Sequence, residues 1–246
     1  MSLNNKTVLI TGSSRGIGKA LAFAFAKEGC NLVLNASKSS EELLKTQEEL
    51  KKSGYYSYSY LADVSDYEQC SQMFSNVSSV YGNVDILINN AGISHIGLFT
   101  DMAPADWKKV MDINFGSVLN CTHLAVPKMV SKKSGTIINI TSIWGDRGAS
   151  CEAVYSASKG AINAFTKAMA KELGPSGIRV NAISCGVIDT AMNQCFTEDE
   201  KDVLADEIAL MRFGKPEEIA QLAVFLAGGG ASFVSGQIIT ADGCMF

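Results

Sequence analysis

The sequence predicts an α/β fold built on a doubly wound, seven-stranded parallel sheet with helices on both faces. Two observations predict it. Short runs rich in β-branched residues alternate with longer segments of helical period. Several of those runs are apolar at almost every position, which suits strands covered on both faces rather than one.

The strands are expected over residues 6–11, 31–34, 58–62, 84–88, 136–140, 178–183 and 237–240. After the first, Ile17, Leu21 and Phe25 recur every four residues and would line one helix face against the sheet, with Gly29 as the stop. A later helix, from about 156 to 173, ends at Gly174-Pro175, where a flexible residue meets one without an amide donor. The stretch 191–213 breaks the alternation. It carries Met192, Phe196 and Met211 among acidic residues, and it is expected to be either a substrate lid or a pair of surface helices. No repeat, low-complexity tract or Pro/Gly/Ser linker interrupts the chain, so residues 1–246 read as one nucleotide-binding domain.

Composition narrows the functional classes. With 47% hydrophobic and 19% charged residues and a net charge of −4, the chain is neither disordered nor collagen-like, and it has no polybasic arm for nucleic acid. The longest apolar stretch, 219–234, is broken by Gln221, three glycines and Ser232, so no membrane span is expected. The chain enters its first strand without a basic, apolar and small-residue leader, so a cytoplasmic protein is expected. Seven cysteines without a CxxC pair read as reduced thiols, and no metal site is expected.

Between the first strand and the first helix lies Gly12-Ser13-Ser14-Arg15-Gly16-Ile17-Gly18. The first glycine permits a tight turn, the next lets a pyrophosphate approach the main-chain amides, and the last lets helix and strand pack closely. The helix that follows points its amide end at the anion. At the end of the second strand no acid appears before Glu41. Arg15 and Lys38 could embrace a 2′-phosphate there, with Ser37 donating a hydrogen bond, so NADP(H) is the expected cofactor. Asp63-Val64 after the third strand suits an adenine amino group. Asn89-Asn90-Ala91-Gly92 after the fourth lets the chain pass close to a ribose. Both could also be ordinary turns.

Tyr155 and Lys159 stand four residues apart and therefore on one helix face. Beside a nicotinamide cation, Lys159 is expected to favour the phenolate and to lower the Tyr155 pKa towards neutrality, so that Tyr155 can exchange a proton during hydride transfer. Ser142, just beyond the fifth strand, could hydrogen-bond a substrate carbonyl oxygen. Asn114 could hold a water linking Lys159 to solvent.

Together the glycine turn, Asn89-Asn90-Ala91-Gly92, Asn114, Ser142, Tyr155 and Lys159 resemble the short-chain dehydrogenase/reductase family over about residues 6–243. The resemblance implies a Rossmann-type sheet, an Asn-Ser-Tyr-Lys tetrad, hydride transfer between nicotinamide and a carbonyl, and a homotetramer. It also implies that Gly186, Ile188 and Thr190 flank the nicotinamide. Cys185 stands where the family usually has proline, and Cys244 where it usually has glycine. Within the family the chain resembles bacterial 3-oxoacyl-[acyl-carrier-protein] reductases, which implies a ketone carried on an acidic protein, with Lys128, Lys132 and Lys133 as one basic cluster. Ser142-Ile143-Trp144-Gly145 and Gly148-Ala149-Ser150-Cys151-Glu152 are similar to elongation factor P 5-aminopentanone reductases. In that case Asp146 and Glu152 could attract the substrate amine. Ser142, Trp144 and Met192 are the expected substrate contacts, with His95 lining the pocket or lying on the surface. A small ketone or steroid remains open as substrate. A nucleotide-binding regulator without turnover is disfavoured by the intact Ser142/Tyr155/Lys159 set.

Overall fold

The computed structural model describes residues 2–38, 40–191 and 197–245. Strands and helices alternate: β1 (Thr7–Ile10), α1 (Gly16–Lys27), β2 (Asn31–Ala36), α2 (Ser40–Lys52), β3 (Ser57–Leu61), α3 (Tyr67–Tyr81) and β4 (Ile86–Asn89). Then follow α4 (Pro104–Met111), α5 (Ser117–Lys132), β5 (Gly135–Ser142), the short α6 (Trp144–Arg147), α7 (Ala153–Leu173) and β6 (Ile178–Cys185). The chain ends through α8 (Glu198–Asp206), α9 (Pro216–Ala227) and β7 (Ile238–Ala241). Among the described residues the seven strands form one parallel sheet in the order β3-β2-β1-β4-β5-β6-β7. The doubly wound α/β expectation therefore holds.

Alternate residues of the central strands face two apolar layers, as the period-2 geometry of a strand requires. Val8, Ile10, Leu32 and Leu34 pack with Leu21 and Phe25 of α1 and Leu226 of α9. Leu9, Val33, Leu87 and Ile137 pack with Met73 of α3 and Cys121 and Met129 of α5. The winding reverses between β1 and β4, and a crevice opens there at the strands' carboxyl ends, the usual ligand position in open α/β sheets.

Several boundaries differ from the sequence expectation. β5 and β6 pair over eight residues each, from Gly135↔Ile178 to Ser142↔Cys185, so Ser142 is the last residue of its strand rather than one beyond it. Thr141, Ser142 and Ser184 look like turn residues in isolation, yet all three are buried in the ladder. α7 begins at Ala153, before the expected 156, which places Tyr155 in its first turn. Asn114 lies in a π-helical turn, Asp112–Gly116, between α4 and α5. Within 191–213, α8 is a true helix started by a Thr197/Glu200 capping box. Met192 and Phe196 fall outside the described residues. No described helix is long and apolar enough to cross a membrane.

Candidate active site

A cleft of about 1020 Å³ follows the carboxyl ends of the strands. Apart from Ser13 and Asn89, which are buried, every residue the sequence assigned to the dinucleotide lines it, as do Ser142, Trp144, Tyr155 and Lys159. Asn114 does not line it, and Met192 lies outside the described residues.

The glycine turn has the backbone its sequence demands. Gly12 and Gly16 hold φ of +62° and +53°, which side-chain-bearing residues rarely adopt. At Gly18 a Cβ would lie 2.7 Å from Asn90 Nδ2 and 2.8 Å from Ser13 Cα. The turn is clamped from both sides. Asn90 Nδ2 donates to the carbonyls of Thr11 and Gly12, each at 2.9 Å, while Thr11 Oγ1 accepts from the amides of Asn90 and Ala91. On the β2 side, Ser13 N donates to Asn35 O at 2.8 Å and Asn35 N donates to Ser13 Oγ at 2.9 Å. Asn90 thus shapes the glycine turn with its side chain. Thr11, Ser13 and Asn35, which sequence reasoning passed over, share that work.

The part of the cleft beside β2 and β3 is more occupied by protein contacts than the sequence suggested. Asp63 Oδ1 accepts from both the amide and the hydroxyl of Ser65, at 3.0 and 2.6 Å. Arg15 reaches α2, where its Nη1 meets Glu42 Oε1 at 3.3 Å. Ser37 and Lys38 are exposed at the end of β2. Ile188 is buried, with its side chain close to Gly214, and also lines the cleft.

At the other end, Tyr155 and Lys159 project from one face of α7. Lys159 is 4% exposed, donates from Nζ to Ile140 O at 3.1 Å, and sits 5.6 Å from the centre of the Tyr155 ring. The Tyr155 hydroxyl lies near Ser142, whose Oγ accepts from Trp144 N at 3.2 Å. Gly145 brings these walls together, since a Cβ there would lie 2.8 Å from the carbonyl carbon of Lys159 and 3.0 Å from Gly160 N. Asn114 Oδ1 accepts from Ile93 N at 2.8 Å. Its Nδ2 donates to Ile93 O and Ser158 Oγ, and Ser158 Oγ donates to Tyr155 O. Both amide hydrogens of Asn114 are therefore committed. Its side chain ties the β4 loop to the Tyr155 turn.

Burial pushes the Tyr155 hydroxyl well above its ordinary pKa; the bond to Ser142 opposes this, and Cys185 and Glu152 add to it. Lys159, whose Nζ donates to Ile140 O, is itself desolvated. Burial brings Lys159 down to about 8, with Cys185 opposing slightly. Cys185 is pushed up to about 12 by burial, partly offset by Lys159, and so remains a neutral thiol.

The Lys159 shift makes a stability prediction. Between about pH 8 and the ordinary 10.5, the unfolded chain holds a proton on this lysine that the folded chain has released, so stability rises with pH across that window. Compared with Lys159→Met, the wild type is expected to gain on the order of 3 kcal/mol across it. Denaturant unfolding of both proteins at the two ends of the window checks this, and a constant difference would refute it.

The sequence model of a family described as short chain dehydrogenase matches residues 6–201. The chain is 38% identical over 242 residues to a 3-oxoacyl-[acyl-carrier-protein] reductase, FabG, of Staphylococcus epidermidis, covering 98% of this chain and 99% of that one. It is 40% identical over 240 residues to an uncharacterized oxidoreductase, YmfI, of Bacillus subtilis, covering 97% and 98% respectively. The crystal structure of a 3-oxoacyl-[acyl-carrier protein] reductase from Brucella melitensis matches with a TM-score of 0.93 and 33% identity, covering 99% of this chain and 92% of that one. The chain belongs to the short-chain dehydrogenase family of oxidoreductases, whose chemistry runs on a nicotinamide cofactor.

Proposed function

We propose that the protein reduces a ketone to a secondary alcohol with NADPH, Tyr155 acting as the proton donor, and that its principal substrate is a 3-oxoacyl group on acyl carrier protein. The observation that carries this reading is the convergence of Ser142, Tyr155 and Lys159 in the same cleft as the glycine turn. That turn fits a dinucleotide, because Gly12, Ser14, Arg15 and Gly16 line the cleft where α1 begins and its free amides point outwards. The similarity to 3-oxoacyl reductases supports the substrate class. The family resemblance supports the cytoplasmic homotetramer.

When bound, NADPH supplies the hydride. The hydroxyl of Ser142 donates to the carbonyl oxygen and holds it against Tyr155. Tyr155, kept protonated by its buried surroundings, passes its proton to that oxygen as negative charge builds. Lys159, an ammonium below about pH 8, stabilises the phenolate left behind. Asn114, acting through Ser158, fixes the turn from which Tyr155 projects. Leu204 of α8 lines the same cleft and supports a covering role for the 191–213 segment.

One observation favours a second substrate class, a ketone ending in an ammonium group, as in 5-aminopentanone attached to elongation factor P. Glu152 lines the cleft three residues before Tyr155 and accepts a hydrogen bond from Ser94. Asp146, its expected companion, does not line the cleft and accepts from Asn163 Nδ2 at 3.1 Å. Assays on a 3-oxoacyl pantetheine thioester and on an amino ketone, with wild type and Glu152→Gln, separate the two. The first reading expects the thioester to be the better substrate and indifferent to the substitution. The second expects Glu152→Gln to lower kcat/KM for the amino ketone alone by about tenfold, the worth of one charge-assisted hydrogen bond. Turnover of neither would leave a nucleotide-binding regulator.

A further inference from the structure

We propose that Glu42 sets the cofactor preference by competing with the 2′-phosphate of NADP for Arg15. This inference rests on the reading that Arg15 and Lys38 face that phosphate, and it adds an acidic counterweight contributed by α2.

Glu42, Thr46 and Glu49 fall on one face of α2 at helical spacing, and all three meet the glycine turn or α1. Glu42 Oε1 takes Arg15 Nη1 at 3.3 Å, Thr46 Oγ1 donates to Ser14 O at 2.8 Å, and Glu49 Oε2 takes Lys19 Nζ at 2.7 Å. The flanking contacts hold α2 against the turn, so the carboxylate at position 42 stays beside the guanidinium. Its second oxygen, Oε2, is buried and has no hydrogen-bond partner. The contact to Arg15 is single and long, whereas guanidinium and phosphate can pair through two parallel bonds. A phosphate can therefore take Arg15 from Glu42, but it must first displace the carboxylate and then lie beside its negative charge. A free 2′-hydroxyl meets neither obstacle. Glu42 accordingly weakens NADP relative to NAD. Because both side chains of the pair are substantially solvated, the effect is modest, about two- to fivefold.

The test titrates the whole protein with adenosine 2′,5′-bisphosphate and, separately, with 5′-AMP, comparing wild type, Glu42→Gln and Arg15→Ala by calorimetry. Glu42→Gln is expected to tighten the bisphosphate about two- to fivefold and to leave 5′-AMP unchanged, with the gain shrinking at about 0.5 M salt as screening takes hold. Three results would overturn the proposal: no tightening of the bisphosphate, an equal change for both nucleotides, or weaker 5′-AMP binding, which would make Glu42 a ribose ligand instead. The underlying NADP reading fails separately, if wild type binds the two nucleotides equally and Arg15→Ala changes neither.

Discussion

Tyr155→Phe is expected to lower kcat for ketone reduction by about 10²- to 10⁴-fold, the range supplied by a positioned general acid. Affinity for adenosine nucleotides should stay within about twofold, since their binding does not use this hydroxyl. Phe keeps the ring that packs near Lys159 and removes only the hydroxyl near Ser142. Steady-state kinetics with NADPH, alongside nucleotide titration, measure both quantities. Unchanged turnover would remove Tyr155 from the chemistry. The raised hydroxyl pKa adds a signature in the reverse direction. Alcohol oxidation needs the phenolate, so its rate should climb with pH through the alkaline range, and a flat profile would contradict that assignment.

The second large effect belongs to Gly18. Alanine there would put a carbon 2.8 Å from Ser13 Cα, which is backbone and cannot swing aside, and 2.7 Å from the Asn90 amide that holds the turn. Relief requires α1 to retreat from β1, taking with it the helix start that lines the cleft. Overpacking of this kind costs about 1–3 kcal/mol. For a chain of this size that lowers Tm by roughly 2–12 °C. Dinucleotide affinity should fall at least about tenfold, because the amides no longer converge. Gly174→Ala, which has open space around it and no positive φ, is the control and should alter neither quantity. Thermal unfolding and NADPH titration of the two variants give the comparison. A Gly18→Ala protein with wild-type Tm and affinity would show that close helix packing is dispensable.

What the sequence determined by itself is what depends on local repetition. Strand and helix positions follow from the periods of apolar residues, and the glycine turn announces itself by residues that alone tolerate its backbone. Tyr155 and Lys159 share a face because α-helical geometry places residues four apart together. Ser142 was legible as a residue at a strand end, though its polar neighbours disguised where that strand stops. The tertiary structure decided whatever depends on distant contact and on burial. Glu42 finds Arg15 from 27 positions away, Asn90 grips the Thr11 carbonyl from 79, and Asn114 reaches Ser158 from 44. No local spacing encodes such pairings. The direction of the Tyr155 shift belongs to the same class: four residues of separation brought the ammonium near, but desolvation, a property of the packed site, decided which protonation state the surroundings favour.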